Sequence, residues 1–197
     1  MNLVDQIAHL HPCEEAVEWL STQESWSAAW SSCHSGSWML WLIGKQITSP
    51  PWSDGRKPFL ACCLDCADTV KHLWPPANRQ QTEDNVAVLR AWIAGQASLK
   101  QAQAARSGPH AVATDCDNGA ANAAHAAVRI AAKVTDTVIY TDMAFYTADV
   151  AAYAAYAASY GNTNAAYVNS ASLRARVLKQ CADIVRKHYP SPPKIKQ

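Results

Sequence analysis

Apolar residues along most of this chain recur every three or four positions, which is the spacing of one face of a helix. No segment sustains the alternation with a period of two that indicates a strand. Proline, glycine and short polar stretches separate helices predicted at about 12–20, 25–30, 38–47, 56–73, 82–95, 96–108 and 171–188. We therefore predict an all-α fold: a single-domain multi-helix bundle over residues 1–189, followed by a Pro/Lys-rich C-terminal tail at 190–197.

Alanine dominates the chain from about residue 116, where the pattern predicts two long helices at 116–134 and 136–160. Alanine has the highest helix propensity of the common residues, and its small side chain lets two backbones approach closely. Larger apolar residues such as Val128, Ile130 and Val138 interrupt the alanines too regularly for a low-complexity segment. We interpret the pair as a tightly packed Ala-rich helical hairpin at the centre of the bundle.

Each Ala-rich helix also carries one stripe of polar residues, and two interpretations of these stripes stay open. They are either narrow solvated faces or the two walls of a shared groove, since a helix that is apolar elsewhere is mostly buried. Tyrosine and arginine are common in protein interfaces. The candidate partner-binding or ligand-binding residues in the stripes are His125, Arg129, Asp142, Tyr146, Asp149, Tyr153 and Tyr156.

Charge is low overall and unevenly distributed. Of the 197 residues, 49% are hydrophobic and 17% are charged, and the formal net charge is +1, so charge gives no reason to expect a nucleic-acid partner. The first thirty residues contain five acidic side chains and no lysine or arginine, whereas the last segment is basic. We expect these ends to attract each other, although a basic tail that binds a membrane or nucleic acid is the alternative. No signal peptide or membrane-length apolar run is found, which predicts a cytoplasmic protein with no membrane partner.

Several cysteines and histidines could suggest a zinc site or a catalytic pair, but their spacing does not support either. Cys63 and Cys66 form one CxxC pair, which is half of a tetrahedral zinc shell, so we predict buried cysteines and no metal or cofactor. The neighbours Cys33-His34 and the segment His11-Pro12-Cys13 resemble thiolate–imidazole pairs, but adjacent side chains on a helix diverge. We therefore expect no catalytic residue and no enzyme activity.

Tryptophan is abundant, with eight residues in the chain. Five of them lie in the first quarter, at positions 19, 26, 30, 38 and 41. A tryptophan side chain buries a large apolar area, so we assign most of them to the core. One or two exposed tryptophans would mark an interaction surface.

The segments Trp30-Ser31-Ser32-Cys33, Ser37-Trp38-Met39-Leu40-Trp41-Leu42 and Val88-Leu89-Arg90-Ala91-Trp92-Ile93-Ala94-Gly95 resemble an immunity protein family of bacterial polymorphic-toxin systems. The similarity continues through Cys66-Ala67-Asp68-Thr69-Val70 and Ala124-His125-Ala126-Ala127. The ending, Cys181 to Pro190, is similar to the tails of small phage-encoded proteins with this domain. The resemblance implies a helical cytoplasmic protein that binds and neutralises a protein partner.

Three functions follow as hypotheses. The first is a non-enzymatic inhibitor or immunity-type protein that neutralises a toxin or defence protein, including phage-encoded counter-defence. The second is a protein that binds or sequesters a small, nucleotide-like ligand between the Ala-rich helices. The third is an enzyme that uses His125 with Asp142 or Asp149.

Overall fold

The computed structural model describes residues 2–73, 76–110 and 165–195, and the ordered elements within these ranges are helices. They are α1 (Leu3–Ile7), α2 (Glu14–Ser21), α3 (Trp26–Ser32), α4 (Gly36–Gln46), α5 (Lys57–Asp68), α6 (Pro76–Ile93), α7 (Leu99–His110) and α8 (Ala165–His188). Short 3₁₀ turns lie at Ala8–Leu10, Asp54–Arg56 and Lys71–Leu73. No strand occurs in the described ranges, and the predicted all-α multi-helix bundle is confirmed.

The predicted Ala-rich hairpin lies outside the described residues. The same holds for every candidate site residue on its polar stripes, namely His125, Arg129, Asp142, Tyr146, Asp149, Tyr153 and Tyr156.

Side-chain caps fix where the early helices begin. The side chain of Asn2 accepts a hydrogen bond from the backbone N–H of Asp5 at 2.8 Å, and that of Asp5 accepts one from Asn2 at 3.3 Å, which forms a capping box at α1. Ser25 caps α3, since its hydroxyl accepts from the N–H of Ala28 at 3.1 Å. Ser35 caps α4 through the N–H of Trp38 at 3.3 Å.

Three helix boundaries differ most from their predicted positions. Helix α5 ends at Asp68 rather than near Leu73, and α6 begins at Pro76 rather than at Thr82. A proline has no N–H to donate and is therefore well suited to the first turn of a helix, and α6 begins at Pro76. Helix α8 begins at Ala165, ahead of its predicted start at 171.

Helix α8 packs against both α4 and α5 in the described core. The fully buried side chains include Leu40 of α4, Phe59, Leu60 and Leu64 of α5, and Val185 of α8. Helix α8 comes so close to α4 that a Cβ atom added at Gly36 would overlap the Cβ of Cys181 and lie 2.7 Å from the backbone nitrogen of Ala182. The absence of a side chain at Gly36 is therefore what permits this packing.

The C-terminal segment holds α3 in place. The indole N–H of Trp30 donates to the carbonyl oxygen of Tyr189 at 2.8 Å. The guanidinium of Arg186 donates to the carbonyl oxygens of Trp30 at 3.1 Å and Cys33 at 2.8 Å. Ile195, which lies in the predicted tail, packs against the core. The described part of the chain contains no helix long and apolar enough to cross a membrane.

Candidate functional site

A groove of about 740 Å³ opens beside the N-terminal helices and is built by three separate segments. The first segment links α1 to α2, the second is the start of α4, and the third lies in α8. We call this feature the N-terminal groove. Its lining residues are His11, Pro12, Cys13, Glu15, Ala16, His34, Ser35, Ser37, Trp38, Trp41, Arg174, Ala175 and Leu178.

His11 enters the groove from an uncommon backbone conformation. It follows the 3₁₀ turn Ala8–Leu10 with φ 57° and ψ 61°, in the left-handed region, and its N–H donates to the carbonyl oxygen of Ala8 at 3.1 Å. Residues other than glycine rarely adopt this region, and such conformations concentrate at functional sites. The chain then passes through Pro12 to Cys13, the N-cap residue of α2.

Aromatic rings form the apolar wall of the groove. The ring of Trp38 meets that of His34 edge-on at 5.5 Å between centroids and tilts against that of Trp19 at 5.8 Å. Trp41 lies nearly one turn further along α4. Trp38 and Trp41 are both half-buried, and the edge-to-face and tilted contacts hold the Trp38 ring in one orientation.

Several polar side chains of the groove have no hydrogen-bond or ion-pair partner in the described part of the chain. These are His11, Glu15 and Ser37, together with the indole N–H groups of Trp38 and Trp41. Ser37 is only 4% exposed. Ser37 is the most buried of these residues, and its hydroxyl oxygen still meets solvent in the groove, so it can bond to a molecule that enters there.

Searches against protein-family models, curated proteins and solved structures find no match. The candidate site is therefore described from its own residues.

A second surface feature is a set of exposed acidic side chains between α1 and the α2–α3 link, of which Glu15 also lines the groove. Asp5, Glu14, Glu15, Glu18 and Glu24 are all exposed, and we call them the acidic face. Within the described ranges none of them forms an ion pair. The basic residues Lys179 and Arg186 of α8 pair with Asp183 of the same helix instead. The attraction expected between the two chain ends thus produces no ion pair among the described residues.

The fold brings residues that are distant in the sequence into one groove. His11, Cys13 and His34 line one groove, whereas Cys33 is buried and its thiol lies 3.5 Å from the carbonyl oxygen of Ser35. The sequence offered no signal for this convergence, because the segments are distant in the chain. The described residues contain no group of three or more histidine, cysteine or acidic side chains placed to hold a metal ion.

A polar cluster elsewhere in the molecule connects three helices. Arg90 of α6 contacts Asp65 at 2.8 Å and Asp68 at 2.7 Å, both in α5. His188 of α8 places its Nε2 2.7 Å from the other oxygen of Asp65. These contacts cross-link α5, α6 and α8, so we assign the cluster to the support of the fold.

Four cysteines of α5 and α8 are packed as small apolar side chains, and those of α5 include the pair that was predicted to be buried. Cys62, Cys63, Cys66 and Cys181 are completely buried. Hydrogen bonds with Cys181 and Cys62, together with burial, raise the pKa of the Cys66 thiol well above its ordinary value. Burial also raises the pKa of Cys33, whereas Cys13 is exposed.

These environments predict very uneven thiol reactivity. The thiolate is the reactive form, so at mildly alkaline pH Cys13 should be alkylated by iodoacetamide much faster than Cys33, Cys62, Cys63, Cys66 or Cys181. Peptide mass mapping after a short exposure checks this, with denatured protein as the control in which all of these sites react. Rapid labelling of Cys66 in the folded protein would contradict the described packing.

Proposed function

We propose that this protein is a non-enzymatic inhibitor or immunity-type protein that binds a basic surface of a toxin or defence protein and neutralises it. This role includes counter-defence by a phage. The observation that carries the proposal is the acidic face: Asp5, Glu14, Glu15, Glu18 and Glu24 are exposed and form no ion pair within the described residues.

Physical reasoning supports a positively charged partner. Glu14 and Glu18 lie four positions apart in α2, where like charges repel, and a partner of opposite charge relieves that repulsion. Complementary surface charge also accelerates association and helps to select the partner. Half-buried tryptophans border this region, including Trp19 and Trp26, and tryptophan is prominent among the residues that dominate binding energy in interfaces.

The resemblance to immunity proteins of polymorphic-toxin systems supports the same role. In such systems an inhibitor works by occupying its target, so no catalytic centre is needed. The sequence-predicted residues on the Ala-rich helices, including Arg129 and Tyr153, remain candidate contacts that lie outside the described residues.

The experiment uses affinity capture followed by measured affinities. The full chain should capture a basic protein from a bacterial host that carries the toxin or defence system, and should inhibit its activity. The triple variant Glu14→Gln, Glu18→Gln, Glu24→Gln should bind that protein about tenfold more weakly at low salt, with a smaller difference at high salt because ions screen exposed charges.

A matched control removes acidic charge elsewhere. The double variant Asp54→Asn, Asp84→Asn changes two exposed carboxylates outside the acidic face, and it should bind like the parent. Equal affinity of the triple variant and the parent, with the same dependence on salt, would contradict the proposal. So would a captured protein whose activity is unchanged when it is bound.

The N-terminal groove favours a second candidate function, the binding of a small ligand. Its volume of about 740 Å³ falls within the range typical of small-molecule sites. A ligand-binding function was predicted from the sequence for a different groove, between the Ala-rich helices, and that location lies outside the described residues.

A further inference from the structure

We propose that the N-terminal groove binds a small molecule with a flat heteroaromatic ring and an anionic group, of the nucleoside monophosphate class. This inference goes beyond the proposed protein partner and does not depend on it, because among the described residues the cavity shares only Glu15 with the acidic face. It rests on the volume of the groove, on its aromatic wall and on an excess of hydrogen-bond donors in its lining.

The aromatic wall favours a flat ring. Trp38 and Trp41 line the groove and are half-buried, so each leaves part of its indole ring accessible. Bases stack readily on aromatic side chains, and such stacking is tolerant of which base is bound. Because Trp38 is held by His34 and Trp19, this surface exists before a ligand arrives and little ordering is required on binding.

The polar lining favours a ligand that is rich in acceptors. The indole N–H groups of Trp38 and Trp41 can only donate hydrogen bonds, and the hydroxyl of Ser37 and the imidazoles of His11 and His34 can also donate. Glu15 is the one carboxylate in the groove among the described residues. A phosphate or carboxylate group would satisfy several of these donors at once, while Glu15 can accept from an amino group of the base or a sugar hydroxyl.

The position of Ser37 gives the inference its sharpest argument. The residue is only 4% exposed, and its hydroxyl, which has no partner among the described residues, meets solvent in the groove. If the hydroxyl of this helical serine bonded nothing, Ser37→Ala would not lower the stability of the fold, because alanine has the higher helix propensity. A hydroxyl that bonds a ligand behaves differently, because its removal weakens binding and leaves the fold intact.

Binding is measured by isothermal titration calorimetry on the full chain, with four probes. Adenosine 5′-monophosphate should bind with a dissociation constant below about 1 mM. Adenosine alone and ribose 5-phosphate alone should each bind at least tenfold more weakly, because each lacks half of the recognised chemistry. Adenosine 5′-carboxylate tests which anionic group the groove prefers. If it binds as tightly as adenosine 5′-monophosphate, the groove accepts either anion; if it binds more weakly, the groove prefers phosphate.

Matched pairs of variants locate the site. Ser37→Ala should weaken binding of adenosine 5′-monophosphate about fivefold to tenfold with an unchanged or higher melting temperature, whereas Ser27→Ala, an exposed serine of α3, should change neither. His11→Asn should weaken binding by a similar factor, because asparagine tolerates the left-handed backbone but is smaller. His9→Asn, exposed and outside the groove, is its control.

The outcomes separate this inference from the proposed function. Loss of binding in Ser37→Ala and His11→Asn, with retained binding in both controls and in the acidic-face triple variant, supports the ligand site whatever the protein partner proves to be. If adenosine 5′-monophosphate does not bind, or binds no more tightly than its two halves, the inference is wrong. Equal binding by Ser37→Ala, His11→Asn and the parent would overturn the assignment to this groove.

Discussion

Replacement of Gly36 by alanine is expected to lower the free energy of unfolding by about 3 kcal/mol, near the upper end of the usual cost of overpacking a core. The added Cβ would overlap Cys181 and lie 2.7 Å from the backbone nitrogen of Ala182. Two of the three nearest atoms belong to the backbone of α8, so no side-chain rotation can relieve the overlap. Helices α4 and α8 would have to separate, and the larger valine at this position should cost more.

Gly95 provides the matched control, because alanine there would strain the backbone but would not overlap any neighbouring atom. It has φ +75°, and a Cβ at this position would meet nothing within 4 Å. Gly95→Ala should therefore cost only about 1 kcal/mol, from the left-handed backbone alone. Urea denaturation followed by far-ultraviolet circular dichroism measures both variants. If Gly36→Ala is no less stable than Gly95→Ala, the close approach of α4 and α8 is not the described one.

The helices of this fold were predictable where local signals agree with one another. Ser25 stands at the start of the helix predicted at 25–30 and caps α3, and the apolar stretch from Trp38 to Ile43 lies inside α4. The errors arose where one residue has two possible roles. Pro76 both excludes the continuation of a preceding helix and suits the first turn of the next one, and only the packing of α6 on α5 and α7 decides which role applies.

The candidate site was much less predictable than the fold. Its residues come from the α1–α2 link, the start of α4 and the middle of α8, and no local pattern relates His11 to His34 or to Arg174. A polar stripe along a single helix is visible in a sequence, and the candidate binding residues were therefore predicted on the Ala-rich helices. A groove assembled from distant segments has no such periodicity, and the one local hint was the density of tryptophan.

The distribution of charged residues along the sequence did not predict which of them form ion pairs. The acidic start and the basic end are evident in the chain, and attraction between them was the simplest expectation. In the described residues Lys179 and Arg186 pair with Asp183, only three or four positions away, because neighbours at that spacing on a helix are already within reach. Local pairing thus leaves the acidic face available for a partner.

Replacement of Arg186 by methionine is expected to lower the free energy of unfolding by about 2–3 kcal/mol, the range for hydrogen bonds that involve a charged group. One nitrogen of Arg186 donates to the carbonyl oxygens of Trp30 and Cys33, and the other donates to Asp183 at 2.6 Å. The carbonyls at the end of a helix have no partner within that helix, and Trp30 and Cys33 are buried. Without Arg186 they would lose a donor that water cannot readily replace.

Two further variants distinguish hydrogen bonding from charge at this position. Arg186→Lys keeps the positive charge near the C-terminal end of α3, where the helix dipole favours a cation, but a single ammonium group does not reproduce the fork of the guanidinium. It should therefore lose an intermediate amount of stability. Arg176→Met removes an exposed arginine from the same helix and should change the unfolding free energy by no more than about 0.5 kcal/mol. If Arg186→Met and Arg176→Met unfold at the same urea concentration, the contacts of Arg186 do not hold α3 against α8.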